Sequence, residues 1–174
     1  MSLPHQLVAI PALLSTLVLA AGCGDGNSPE GDFRFSGVLA GTVWVGDADA
    51  LLVSGADDGD TLYVIGTRPV NAGQLPQDIL TVRVPFEGAG SYQLTGNEVD
   101  LKVLTGGDVV SASYNGRSPI AGTLMVQSYD AVSGLITGTV AFEASSSSEL
   151  QPYGAAPRFQ DGRFRATVRQ SAAF

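Results

Sequence analysis

The sequence predicts an all-β domain over residues 33–174, a single antiparallel β-sandwich or small barrel of about eight to ten strands. Three observations predict it. Apolar residues recur at every second position, as on a strand with one dry and one wet face. Turn motifs rich in Gly, Asp, Asn, Ser and Pro separate these runs at short, regular intervals. No stretch carries the three-and-four spacing of an amphipathic helix. Composition agrees, with 22 glycines among 174 residues, frequent Val and Thr, and only 15% charged side chains. That length allows one ordinary domain with a core large enough to need no covalent staple.

Three strands stand out. Leu80, Val82, Val84 and Phe86 alternate with Thr81, Arg83 and Pro85. Ile136, Gly138, Val140, Phe142 and Ala144 alternate with Thr137, Thr139, Ala141 and Glu143, and Phe164, Ala166 and Val168 alternate with Arg163, Arg165, Thr167 and Arg169. Weaker strands are expected at 33–40, 42–46, 50–54, 61–67, 90–95, 100–105, 109–115 and 121–129. ADDGD (56–60), TGGD (105–108), NGRSP (115–119) and DAVSG (130–134) supply turns, because Asp and Asn bond nearby backbone amides and Gly accepts positive φ. The interval 144–162, ASSSSELQPYGAAPRFQDG, lacks alternation and reads as a long functional or disordered loop, disordered at 145–148.

Charge and residue inventory narrow the chemistry. The formal net charge is −8, and every Asp, Glu, Lys and Arg lies after Cys23. An acidic body repels phosphate backbones, which argues against a nucleic-acid partner, and it also disfavours adhesion to anionic lipid through a basic patch. His5 is the only histidine and Cys23 the only cysteine. With the leader removed or used as an anchor, the body holds no imidazole and no thiol. A Ser-His-Asp triad, a Cys-His pair, a zinc site built on His or Cys, and an internal disulfide are then all excluded. No feature calls for a cofactor.

The N-terminus explains where the charge begins. Residues 6–22, QLVAIPALLSTLVLAAG, are apolar and uncharged, about the length of a signal-peptide core and marginal for a membrane-spanning helix that Pro11 also interrupts. Ala20-Ala21-Gly22-Cys23 follows. This resembles the lipobox of bacterial lipoproteins, in which cleavage leaves a lipidated cysteine as the new N-terminus. The resemblance implies a signal peptide at 1–22, lipid attachment at Cys23, a membrane partner through that lipid, and a flexible tether over 23–32. By the same resemblance, Gly24 after the cysteine, with aspartate only at Asp25, implies the outer membrane. Plain secretion with Cys23 as a spare thiol, or a retained membrane helix, are the alternatives. Acyl chains at about 0.8 kcal/mol per buried methylene make such an anchor essentially permanent.

A second resemblance covers most of 35–168. FSGVLAGTVW (35–44), GTLMVQSYDAVSGLITGTVAFEA (122–144) and GRFRATV (162–168) are similar to a pattern of small bacterial lipoproteins with DUF6252-like β-sandwich domains. Those families carry no assigned activity, so the resemblance implies fold and location only.

Candidate sites remain, each with a structural alternative. Asp57, Asp58 and Asp60, with Asp47 and Asp49 before them, could bind Ca²⁺, but their spacing is not that of an EF-hand and suits a hairpin turn. Arg158, Arg163, Arg165 and Arg169 could grip an anionic sugar or a partner's carboxylates, or form a solvated row that guards a strand edge. Trp44 reads as a core residue or a sugar platform. Tyr153, Arg158 and Phe159 in the long loop could contact a ligand, or its aromatics could simply pin the loop. Paired carboxylates could in principle hydrolyse a glycan, though no pair is singled out. The expected function is a non-catalytic binding or structural module of the cell envelope, with an envelope protein or glycan as partner; a carbohydrate- or calcium-dependent binding protein is the alternative.

Overall fold

The computed structural model describes residues 33–55, 59–68, 77–105, 109–117, 121–146 and 148–172. The leader, Cys23, the tether, Asp57 and Asp58 lie outside the described residues. Ten strands follow one another: β1 (Arg34–Leu39), β2 (Thr42–Ser54), β3 (Asp60–Arg68), β4 (Gln77–Pro85), β5 (Gly90–Leu94), β6 (Val99–Thr105), β7 (Val109–Gly116), β8 (Gly122–Tyr129), β9 (Leu135–Ser145) and β10 (Arg158–Ala172). The described residues are all-β, as the period-two pattern predicts.

All ten strands belong to one sheet whose hydrogen bonding returns on itself through β2–β3–β4–β6–β7–β9–β10 and back to β2. β8 extends the sheet from β9, and β5 pairs with β8. β1 lies between β2 and β10 and is antiparallel to both. β2 and β10 must therefore run in the same direction. Beyond the start of β1 they meet directly, and Val168 pairs with Ala50 in a parallel register within an otherwise antiparallel sheet.

Alternation decides which side chains turn inward. Phe35, Trp44, Phe142, Phe159 and Phe164 meet in the interior beside Leu62, Val64, Leu80, Val82 and Leu124. The Phe35 ring lies 5.6 Å from Trp44 and 5.7 Å from Phe159, both edge-to-face, while Phe142 and Phe159 stack at 5.3 Å. Gly66 makes this approach possible. A Cβ there would sit 2.8 Å from the Trp44 ring and 2.9 Å from that of Phe35.

Two expectations are corrected. The strands expected at 42–46 and 50–54 are one continuous strand, β2. The loop expected over 144–162 is shorter, since β9 runs to Ser145 and β10 begins at Arg158. Two of the serines expected to be disordered are engaged: the Ser146 hydroxyl donates to the Ser113 carbonyl at 2.8 Å, and the Ser113 amide donates to the Ser148 hydroxyl at 3.3 Å, while Ser147 lies outside the described residues. The β7–β9 ladder consists of Asn115↔Ser145 and Gly116↔Ala144 alone. Where it stops, serine hydroxyls take over the exposed edge of β7. The 130–134 turn forms as expected, with Asp130 accepting from the Val132 amide and the Ser133 hydroxyl at 2.9 and 2.7 Å.

Gly66→Ala is expected to destabilise the domain by roughly 1–3 kcal/mol through overpacking of the aromatic cluster. Urea denaturation checks this, and an unchanged midpoint would contradict the tight approach.

Candidate functional site

The inward faces of β3 and β4 continue past their apolar residues into a charged pair. Leu62, Val64 and Gly66 are followed at the same parity by Arg68, and Leu80, Val82 and Val84 are preceded by Asp78. Arg68 and Asp78 stand directly opposite each other in the register. Asp78 is the buried charged residue of the described core, with 0% exposure. Its Oδ2 pairs with Arg68 Nη2 at 2.5 Å and accepts from Trp44 Nε1 at 3.1 Å and from the Tyr153 hydroxyl at 2.6 Å. Arg68 also donates to the Tyr153 hydroxyl. Among the described residues Asp78 Oδ1 accepts no hydrogen bond. A buried carboxylate so placed depends on its cation, because desolvation of either charge alone costs several kcal/mol.

Tyr153 belongs to the segment between β9 and β10. Its amide donates to the buried Tyr114 hydroxyl of β7 at 3.1 Å, and its ring lies beneath the Arg68 guanidinium, 5.9 Å from the centroid. Burial first, and then the hydrogen bond to Asp78, push the Tyr153 phenol well above the usual tyrosine value. It holds its proton across the physiological range and acts here as a donor. The cluster joins β2, β3, β4 and β7 to the 146–157 segment.

The structure separates the three residues expected in the long loop. Tyr153 pins the segment. Arg158 and Phe159 belong to β10, where alternation sends neighbours to opposite faces. Phe159 is a core residue at 1% exposure, so a ligand could reach it only by unpacking the interior, while Arg158 faces outward and pairs with Glu143 at 2.8 Å. Trp44 is in the core with its N–H bonded. Asp60 opens β3, and its carbonyl accepts from the Phe86 amide. Asp49 is held by Arg169 Nε at 3.2 Å. Among the described residues no three His, Cys, Asp or Glu side chains converge on a metal position. Arg68, Asp78 and Tyr114 were not singled out from the sequence. The available signal was parity, since Arg68 and Asp78 each extend an inward-facing run by one step.

Several shallow grooves mark the outer surface, among them two of similar size. One, about 360 Å³, crosses β8, β9 and β10 between Met125 and Arg163. The other, about 340 Å³, lies over β3, β4 and β6 and is lined by Tyr63, Arg83, Glu98 and Asp100. Arg83 Nε is fixed to the Asn97 carbonyl at 3.0 Å. The Thr95 hydroxyl, with backbone amides, holds the Glu98 carboxyl below its ordinary range. Comparison with protein-family models, curated proteins and solved structures finds no match. The geometry thus defines a class, an all-β body with ring-like hydrogen bonding, a filled interior and grooves on its outer faces.

Asp78→Ala is expected to cost roughly 3–5 kcal/mol, because it strands the Arg68 charge, whereas Tyr153→Phe should cost about 1–2 kcal/mol. Equilibrium denaturation distinguishes them, and equal, small effects would contradict the ion-pair assignment. The raised Tyr153 value also has a pH consequence. Its contribution is complete below the unfolded value near 10 and is lost as pH rises past it, because the unfolded chain releases that proton first. Stability should fall above about pH 10, and part of that fall should be missing in Tyr153→Phe.

Proposed function

We propose that this chain is a lipid-anchored protein of the cell envelope, held at the outer membrane through Cys23, whose β body is a non-catalytic binding or structural module. In this reading 1–22 is a lipoprotein signal peptide, 23–32 the acylated residue and tether, and 33–174 the working domain, in keeping with the resemblance to DUF6252-like lipoprotein domains. The anchor rests on the apolar run that ends in Ala20-Ala21-Gly22-Cys23.

The non-catalytic reading rests on one observation: the interior is filled, and its buried acid is committed to Arg68, Trp44 and Tyr153. A glycosidase needs a carboxylic acid raised towards neutrality facing a second carboxylate across open space. Glu98 and Asp130 are instead both held below the ordinary carboxylate range by hydrogen bonds. A carbohydrate-binding role is a second reading, favoured by the shallow polar groove over β3, β4 and β6, where Tyr63 lies beside Arg83, Glu98 and Asp100.

Intact-mass analysis of protein extracted from membranes tests the anchor. The wild type is expected to begin at Cys23 with added acyl mass, and Cys23→Ser to remain unprocessed. A wild-type chain with its leader intact and no added mass would overturn the proposal.

A further inference from the structure

The arginines of β10 do not guard an edge. β10 is paired along one side with β9 and along the other with β1 and β2. Edge protection therefore does not account for Arg163 and Arg165, which project outward from it. Other described basic residues that face solvent have visible work, among them Arg158 and Arg117 with Glu143, Arg169 with Asp49, Lys102 with Asp100, and Arg83 with the Asn97 carbonyl. Among the described residues Arg163 and Arg165 have no ion pair. The register surrounds them with hydroxyls and another cation: Thr139 and Ser36 stand opposite Arg163, and Thr137 opposite Arg165. Arg34 precedes Phe35, the partner of Phe164, and so falls beside Arg165 on the same face.

In a chain of net charge −8, two unpaired guanidinium groups set among hydroxyls form a local site for an anion. Alternation along β10 places them about 7 Å apart, two residues at roughly 3.3 Å each. Arg163 lies on the wall of the 360 Å³ groove, together with Thr123, Met125, Thr139, Ala141 and Asp161. Asp161 is the extra residue of a β-bulge, at φ 52°, where the β9–β10 register shifts between Phe159 and Gly162. The groove thus offers a cation, a carboxylate, two threonine hydroxyls and an apolar floor of Met125, Val140 and Ala141.

We infer that this outer face of β8, β9 and β10 binds a carboxylated glycan, with Arg163 and Arg165 gripping its carboxylates and the groove taking its hydroxyls. Mixed chemistry favours that ligand over the alternatives. A phosphate-only surface, such as anionic lipid or nucleic acid, gains nothing from the Asp161 carboxylate, which can accept from a sugar hydroxyl. A sugar bearing both carboxylates and hydroxyls uses both ends of the groove. The inference rests on the binding-module reading of the domain and is independent of the lipid anchor.

Titration calorimetry of the full chain with oligogalacturonate tests it, with dextran oligosaccharide and phosphatidylglycerol vesicles as parallel probes. The expected result is binding to oligogalacturonate that weakens at higher salt and falls at least tenfold in Arg163→Gln/Arg165→Gln. Lys102→Glu, which changes net charge by the same two units, should bind within twofold of wild type, and both variants should retain the wild-type circular dichroism spectrum. No binding to oligogalacturonate, equal binding to dextran, preference for the vesicles, or equal loss in Lys102→Glu would each overturn the proposal. Acyl mass at Cys23 is read separately, so failure of the anchor and failure of this site are distinguishable.

Discussion

A single buried carboxylate organises one end of this domain. Asp78 is reached by Trp44 from β2, Arg68 from β3 and Tyr153 from the segment after β9, and Tyr153 is in turn tied through its amide to Tyr114 of β7. The importance of that junction follows from the topology. The circuit of strands closes between β7 and β9 through two residue pairs, whereas its other neighbours share longer ladders. The seam is completed by the 146–157 segment, whose serine hydroxyls bond the backbone of β7 and whose tyrosine enters the interior. A buried pair of this kind is weak evidence for stability in itself, since apolar replacements often match it. Its use here is positional. It fixes one register between β3 and β4 and one seat for the covering segment.

Much of the fold is legible in the residues, and what is hidden has physical causes. Alternation is clear in β4, β9 and β10 because large apolar side chains face inward on those strands. In the middle of β2 the inward residues are Gly46, Ala48 and Ala50, and the outward ones Asp47 and Asp49, so GDADA looks like a turn. Gly46 has to be small, because the Thr67 carbonyl occupies the space of a Cβ. The sheet supplies pairing there that the sequence does not advertise.

The polar cluster is hidden for a different reason. Arg68 and Asp78 flank a stretch of polar and turn residues, and each lies at the end of an apolar run where a charged residue ordinarily marks exit to solvent. Only the register brings them together, and only the covering segment buries them. Phe159 shows the converse. It sits in a stretch without evident alternation because the bulge at Asp161 adds a residue to the pattern, yet it packs against Phe142 in the core. Outward-facing arginines on β10 were visible from the start; what the structure adds is that their strand has neighbours on both sides.

Interior and exterior therefore differ in construction. The interior is packed with apolar side chains and organised at one end by Asp78, and the outer faces carry shallow grooves whose side chains are held by strand register. The claim on which this rests is that Tyr153 and Asp78 act as one unit. A double-mutant cycle of Tyr153→Phe and Asp78→Ala, read by urea denaturation, tests it most directly. The account predicts a coupling of about 1 kcal/mol or more, and losses that add to within about 0.5 kcal/mol would contradict it.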